Sequence, residues 1–234
     1  MKMDKMKNIV YNCDCMEYMK DIPDNAFDLA IIDTDYGIGQ DWLKDSKGRG
    51  ERRKIAFNTT YKNDNPPDEK YFNELFRISR NQIIWGWNYF SNLLPPTNHI
   101  IIWDKMRNVK KTFRSECEQA WTSIKIPQRI YHIRWDGCKK GKETGIQIIH
   151  PHQKPILLYK KLLSDYGFPG QIIFDSHVGS GSIRIACHDM GFDFVGCEKD
   201  PDYWKVQENR FKDHLAKGKE IFEVDEYQQL IFKD

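Results

Sequence analysis

The sequence predicts an α/β fold built on a mostly parallel, doubly wound sheet. Short apolar runs recur along the 234 residues and are typical of buried strands. Helical patterns lie between several of these runs, and strands that alternate with helices indicate parallel pairing with helices packed on the sheet. The predicted strands cover residues 9–11, 29–32, 82–85, 100–103, 129–133, 172–174 and 192–196, and the predicted helices cover residues 155–165, 182–190 and 201–214.

Length and charge limit the organisation of the chain. A chain of 234 residues is long enough for one α/β domain but too short for two full domains and a linker, so residues 1–234 are expected to form a single domain. The 36 Lys and Arg residues nearly balance the 34 Asp and Glu residues. Binding to a polyanion would therefore depend on local basic clusters.

Cysteine spacing and hydropathy argue against several classes of protein. The six cysteines show neither a C-x-x-C pair nor a cluster with histidines at zinc-ligand spacing, so no disulfide framework and no metal site is predicted. No apolar run approaches the ~20 residues that a membrane span requires, and the polar start of the chain lacks the apolar core of a signal peptide. We therefore expect a cytoplasmic protein without a membrane partner.

Polar segments with basic clusters interrupt the alternating pattern. We predict that a loop at residues 40–67 and a small insert at about residues 105–147 contact phosphates, because long polar loops in compact domains are often functional. A merely solvated run of charges is the alternative interpretation. The candidate phosphate-binding residues are Lys47, Arg49, Arg52, Arg53, Lys110, Lys111, Lys139 and Lys140.

The most informative segment reads QIIFDSHVGSGSIRIACHDMGFDFVGCEKD. Its order of strand, glycine-rich turn, helix, strand and acidic residue is typical of a nucleotide-binding unit. Gly179 and Gly181 permit a sharp turn and a close approach to a ligand, and Ser182 is predicted to cap the following helix. Glu198 is predicted to follow the next strand, where a carboxylate can accept both hydroxyls of a ribose.

The details of the turn favour one class of nucleotide. A dinucleotide-binding dehydrogenase would require G-x-G-x-x-G, whereas this turn reads G-S-G-S and follows Asp175. Carboxylates on both sides of the turn favour a ligand that is cationic and lacks a pyrophosphate. S-adenosylmethionine, a cationic nucleoside, fits that description.

Three motifs together resemble the N4/N6-type DNA amino-methyltransferases of the permuted beta class. They are FDSHVGSGS, HPHQKP at residues 150–155 and D-x-x-Y at residues 33–36. In that class the base-binding motif precedes the cofactor motif, and here Tyr36 precedes Gly179 by about 140 residues. The resemblance covers nearly the whole chain. It implies a Rossmann-like, S-adenosylmethionine-dependent methyltransferase fold with circularly permuted motif order.

The resemblance also implies which residues hold the cofactor. The glycine-rich turn would surround the methionine moiety, Glu198 would bind the ribose, and Asp14 would reach the adenine amino group. The HPHQKP element would pack beside the cofactor. The implied cofactor-binding residues are Asp14, Asp33, His150, Gln153, Lys154, Asp175, His177, Gly179, Ser180, Gly181, Ser182 and Glu198.

The D-x-x-Y motif would hold the target base. Asp33 would accept a hydrogen bond from the base amino group, and Tyr36 would stack on a base flipped out of the duplex. The family's two prolines are replaced by Thr34 and Asp35, so the catalytic set is predicted to be Asp33, Thr34, Asp35 and Tyr36. Thr34 keeps its carbonyl, and Asp35 either adds charge beside the sulfonium or points to solvent. Because the rigid pair is lost, we predict slower methyl transfer than in a variant with both prolines restored.

The expected activity is methylation of adenine N6 in duplex DNA with a flipped adenine, in a restriction-modification or phage setting. Relatives that act on cytosine N4 more often carry Ser at the position of Asp33, which favours adenine. A catalytically impaired module that binds the cofactor or nucleic acid remains an alternative, as do an RNA adenine methyltransferase and a DNA cytosine-N4 methyltransferase. A homodimer is also left open.

Overall fold

The alternation of strands and helices is confirmed by the computed structural model, which describes residues 8–37, 65–107, 115–136 and 139–218. The strands are β1 (Ile9–Tyr11), β2 (Phe27–Ile32), β3 (Ser79–Trp85), β4 (Ile100–Asp104), β5 (Cys117–Thr122), β6 (Arg129–His132), β7 (Ile172–Asp175) and β8 (Asp193–Cys197). The helices are α1 (Cys15–Lys20), α2 (Glu69–Ile78), α3 (Ile156–Tyr166), α4 (Ser182–Met190) and α5 (Pro201–Lys217), with short 3-10 turns at Trp87–Tyr89 and Gly141–Glu143.

The strands form one eight-stranded sheet in the order β1-β8-β7-β2-β3-β5-β4-β6. Neighbouring strands are parallel except where β5 pairs antiparallel with both β3 and β4. The carboxyl ends of β1, β8, β7, β2, β3 and β4 therefore meet at one edge of the sheet, which is where open α/β sheets bind ligands.

The core lies on both faces of the sheet, as the alternation of side chains along β2 shows. Leu29 and Ile31 join a cluster that includes residues of α3, α4 and α5, whereas Ala30 and Ile32 join a cluster that includes residues of α1 and α2. This arrangement agrees with the predicted doubly wound sheet, because successive strand residues point to opposite faces. Within the described ranges, no helix has the length and apolar character needed to cross a bilayer.

Helix boundaries follow local signals in the sequence. Helix α2 begins after Asp68, whose carboxylate accepts a hydrogen bond from the Tyr71 amide, and its buried residues recur at helical spacing. Helix α5 begins after Asp200 in the same way, with Pro201 in its first turn. Helix α4 begins after Gly181, a left-handed residue at φ 72°, and the prediction that Ser182 caps this helix is wrong. The tight turn needs a glycine at the cap position, so Ser182 becomes the first helical residue.

Strand β5 was not among the predicted strands. Its first three residues are only half-buried, and the second and third of them, Glu118 and Gln119, are polar, so no continuous apolar run indicates a strand. The strand nevertheless lies between β3 and β4, so part of the segment at residues 105–147 belongs to the core sheet. Because β5 runs antiparallel, its start rather than its end lies at the carboxyl edge.

Candidate functional site

Three carboxylates lie together at the carboxyl ends of three adjacent strands. Asp33 follows β2, Asp175 ends β7 and Glu198 follows β8. Burial, with the charges of Asp33 and Glu198 nearby, raises the pKa of Asp175 well above its usual range, although the His177 amide donates to it at 2.9 Å. Burial also raises the pKa of Glu198. Burial thus disfavours the ionised form of both carboxyl groups, and a cationic ligand at this edge would stabilise that form.

The glycine-rich turn is tied directly to Glu198. The amide of Gly179 donates to one carboxylate oxygen of Glu198 at 2.8 Å, and the amide of Asp200 donates to the other at 2.9 Å. Glu198 thus braces the turn between β7 and α4 while standing at the tip of β8. The prediction that Glu198 and the turn form one site agrees with this geometry, and the ribose contact stays a prediction.

The HPHQKP element packs on the same turn. A Cβ atom added to Gly179, which has φ 52°, would lie 3.3 Å from the ring of His150, so a larger residue would strain the backbone and require the ring to shift. Burial lowers the pKa of His150 to about 3, which keeps the imidazole neutral. Gln153 is buried and accepts a hydrogen bond from the Ile149 amide at 3.0 Å. The side chain of Gln153 thus holds the shape of this element.

Two further predicted cofactor residues flank the carboxylates. Asp14 caps α1 through the Met16 amide at 2.9 Å and pairs with the exposed Lys199 at 2.7 Å. Lys199 holds the pKa of Asp14 below its usual value, with the helix amides assisting. On the other side, the Ser176 hydroxyl lies 2.8 Å from Nδ1 of His177, whose pKa burial lowers to about 4.

The four residues at 33–36 stand beside this cluster. The Tyr36 hydroxyl donates to Asp33 Oδ1 at 2.6 Å, and the Lys154 ammonium forms an ion pair with Oδ2 of the same carboxylate. Burial and the charge of Asp33 raise the pKa of Tyr36, so its phenol stays protonated and remains a donor. Thr34 is buried, and its hydroxyl donates to the Asp35 carbonyl at 3.2 Å. Asp35 is half-buried.

The ring of Tyr36 is closely packed in this structure. It stacks on Tyr89 with 5.0 Å between ring centroids and 14° between planes. A Cβ atom added to Gly86 would lie 2.1 Å from the Tyr36 ring, so the ring rests directly on that glycine. Tyr89, in the 3-10 turn after β3, is 45% exposed, so an aromatic surface beside Tyr36 is open to solvent.

The structure adds two charged residues that the sequence did not single out for this site. Glu118 of β5 lies between Lys154, at 2.9 Å, and Lys105, at 2.5 Å. The missed signal was a glutamate at the start of a half-polar strand, which indicates a site only once that strand is known to be antiparallel. Lys154, from the HPHQKP element, lies at the tip of β2, where its ammonium faces Asp33, Glu118 and the Tyr36 hydroxyl.

The predicted phosphate contacts divide into three groups. Lys139 is exposed, as a phosphate ligand should be. The prediction that Lys140 binds a phosphate is wrong, because this side chain is buried. Its Nζ donates to the Ile146 carbonyl at 2.6 Å and lies 5.5 Å from the centroid of the Trp135 ring. An ammonium that is used inside the fold does not reach a phosphate. The remaining candidates, Lys47, Arg49, Arg52, Arg53, Lys110 and Lys111, lie outside the described residues.

Comparison with known proteins identifies the family. A model of DNA methylases of the N6/N4 type matches residues 53–209. Type II methyltransferase M.HpaI from Haemophilus parainfluenzae is 20% identical over 237 residues, which cover 82% of this chain and 70% of that protein.

Solved structures share the fold. The M1.HpyAVI-SAM complex matches with a TM-score of 0.53 and 18% identity, covering 86% of this chain and 98% of that one. The cytosine-N4-specific PvuII DNA methyltransferase matches with a TM-score of 0.55 and 13% identity, covering 86% and 85%. These similarities confirm the α/β methyltransferase fold. Because the family model spans more than half of the sequence, this chain belongs to the N6/N4 family of DNA methylases.

Proposed function

We propose that this protein transfers a methyl group from S-adenosylmethionine to N6 of adenine in duplex DNA. The observation that carries the proposal is the arrangement of Asp33, Asp175 and Glu198 around one glycine-rich turn, with Tyr36 at its side. Family membership supports DNA as the substrate. The resolved M1.HpyAVI complex, which contains SAM, supports the same cofactor for this chain.

The residues at the carboxyl edge fit this cofactor. S-adenosylmethionine supplies an electrophilic methyl group on a cationic sulfur when it is bound. Burial disfavours the ionised form of Asp175 and Glu198, so the cationic cofactor would stabilise their carboxylates. Gly179 would permit a close approach of the backbone to the cofactor. Asp14 would complete the nucleoside end of the site, beside Lys199.

Asp33 would orient the target amino group. The nitrogen of an exocyclic amine is a poor nucleophile, because its lone pair is delocalised into the ring, and acceptors on its hydrogens favour a reactive geometry. Each oxygen of Asp33 has one partner here, Tyr36 or Lys154, and each carboxylate oxygen offers about two acceptor positions. The carboxylate therefore retains the capacity to accept a hydrogen bond from the base. An aspartate at this position favours adenine N6 over cytosine N4.

The test is incubation of the protein with labelled S-adenosylmethionine and unmethylated duplex DNA, followed by digestion to nucleosides. Label in N6-methyldeoxyadenosine is expected for the wild type and is expected to be lost in Asp33→Ala. Label in N4-methyldeoxycytidine would overturn the adenine assignment. Label transferred to RNA and not to DNA would overturn the substrate. Cofactor binding by calorimetry without any transfer would favour a binding module.

A further inference from the structure

Four side chains of alternating charge form a continuous line across the carboxyl edge. Lys105 pairs with Glu118 at 2.5 Å, Glu118 pairs with Lys154 at 2.9 Å, and Lys154 pairs with Asp33. The residues come from the ends of different elements, so only the folded sheet brings them together. The line starts at Lys105 and ends at Asp33, the carboxylate that would accept a hydrogen bond from the base amino group.

This line is buried well enough for its charges to act strongly on one another. The exposed fractions of the side chains are 11% for Lys105, 23% for Glu118 and 4% for Lys154. The two ammonium groups also lie over indole rings, Lys105 at 5.2 Å from the Trp103 ring centroid and Lys154 at 5.6 Å from that of Trp85. Cations held against aromatic faces in a partly dry site have few alternative positions.

Glu118 is ionised in this environment. Burial opposes its charge, but the two lysines outweigh burial and hold the pKa of Glu118 at about 2. Burial likewise opposes the charge of Lys154, and Asp33 and Glu118 together raise its pKa. The ammonium of Lys154 is therefore shared between two carboxylates, and Asp33 is only one of its two anionic partners.

We propose that Glu118 is a positioning residue for methyl transfer, which acts by holding Lys154 so that the Asp33 carboxylate keeps its orientation. The inference rests on the proposed function and assigns Glu118 a role that it would exert through its ion pair with Lys154. Positive charge develops on the amino nitrogen as it takes the methyl group, and a negative Asp33 stabilises that charge. Without Glu118, the Lys154 ammonium loses one of the two carboxylates that fix its position, and the Asp33 carboxylate is no longer held in place.

The test compares Glu118→Gln with Glu116→Gln, a matched control whose side chain is exposed two residues earlier. Glu118→Gln is expected to lower kcat by about 10- to 100-fold, the cost of a small misplacement at a reacting centre. Its Kd for S-adenosylmethionine should stay within about twofold of wild type, since the turn and Glu198 are untouched. Glu118→Asp should recover part of kcat, and Glu116→Gln should match wild type. Unchanged kcat in Glu118→Gln would overturn the proposal, as would an equal loss in both glutamine variants.

A double-mutant cycle shows whether Glu118 acts through Lys154. If it does, adding Glu118→Gln to Lys154→Met should lower kcat no further than Lys154→Met alone. Multiplied losses would contradict the proposal. Tm is measured for the wild type, the two single variants and the double variant, and the losses should be less than additive, because both changes remove the same ion pair. If the wild type transfers no methyl group, the proposed function is refuted. The Tm values then still test whether Glu118 holds Lys154, and additive losses in Tm would overturn that role of Glu118.

Discussion

At the scale of single residues, burial disfavours the ionised form of two carboxyl groups at the site, Asp175 and Glu198. Asp175 is 1% exposed, and burial raises its pKa well above the usual value. Such a group favours folding at low pH, because the folded state binds its proton more tightly than the unfolded state. That contribution is fully present below the unfolded pKa and is lost as the pH rises through the folded pKa. A cation bound beside the ionised Asp175 would restore the stability that is lost at higher pH.

Asp175→Asn is therefore expected to stabilise the protein without cofactor above the unfolded pKa of Asp175 while impairing cofactor binding. Relative to the variant, the wild type should lose up to about 1.4 kcal/mol per pH unit between the unfolded and folded pKa values. Loss of one charged contact should weaken S-adenosylmethionine binding by about tenfold or more. Urea unfolding from pH 4 to 9, with calorimetry of cofactor binding, measures both effects.

Asp189 provides a control of opposite sign. Burial opposes its ionisation, but His214 and Lys160 outweigh burial and lower its pKa. Its contribution is present above the unfolded pKa and is lost as the pH falls through the folded pKa. Asp189→Asn should therefore destabilise the protein at neutral pH and leave cofactor affinity unchanged. If both variants shift stability in the same direction, the electrostatic explanation for Asp175 is wrong.

The replacement of the family's two prolines also belongs to this scale. The double variant Thr34→Pro, Asp35→Pro is expected to raise kcat on unmethylated adenine substrate, because each proline reduces the conformational entropy of the unbound loop. The entropy change is worth about 0.4–1 kcal/mol per proline, or about 2- to 5-fold in rate if it is fully expressed in the transition state. The change removes the Thr34 hydroxyl bond to the Asp35 carbonyl. Equal turnover of wild type and variant would show that the two residues between Asp33 and Tyr36 do not limit transfer.

At the scale of elements, the sequence predicted the parts in which local signals and burial agree. The unit from β7 through α4 to β8 was predicted within a residue of its observed bounds, because buried apolar runs alternate there with glycines at positive φ. The bounds of β3 were less accurate, because its first residues Ser79 and Arg80 are polar. Strand β5 was missed since its place depends on partners distant in sequence. Glu118 was missed with it, and so was the ion pair between Lys154 and Glu118.

The junction after β3 permits a sharp test at this scale. Gly86 has φ 73°, and a Cβ atom there would meet the Tyr36 ring at 2.1 Å. Gly86→Ala should therefore cost about 1–2 kcal/mol for the left-handed backbone and a further 1–3 kcal/mol, roughly, for the clash. It should also lower kcat by moving Tyr36. Gly191→Ala is the matched control, because Gly191 has φ 78° with nothing within 4 Å of the added atom. Equal losses in unfolding free energy would show that the ring yields freely.

At the scale of the whole molecule, charge does not explain DNA binding by itself. The formal net charge is only +2, so a substrate as anionic as DNA has to be bound by particular basic clusters. Lys140 is excluded from that role by its internal contacts. The cluster at residues 49–53 lies outside the described residues, and its role stays a prediction from sequence.

Replacing Arg49, Arg52 and Arg53 with Ala is expected to weaken duplex binding. If each arginine contacts one phosphate, the slope of log K against log salt should become shallower by about 0.9 per arginine. The control replaces Lys205, Lys212 and Lys217 of α5, which are exposed, and so removes the same charge from another surface. A shallower slope in the arginine variant alone would place phosphate contacts in the loop. The same change in both variants would mean that DNA responds to total charge, and unchanged affinity in the arginine variant would leave the loop merely solvated.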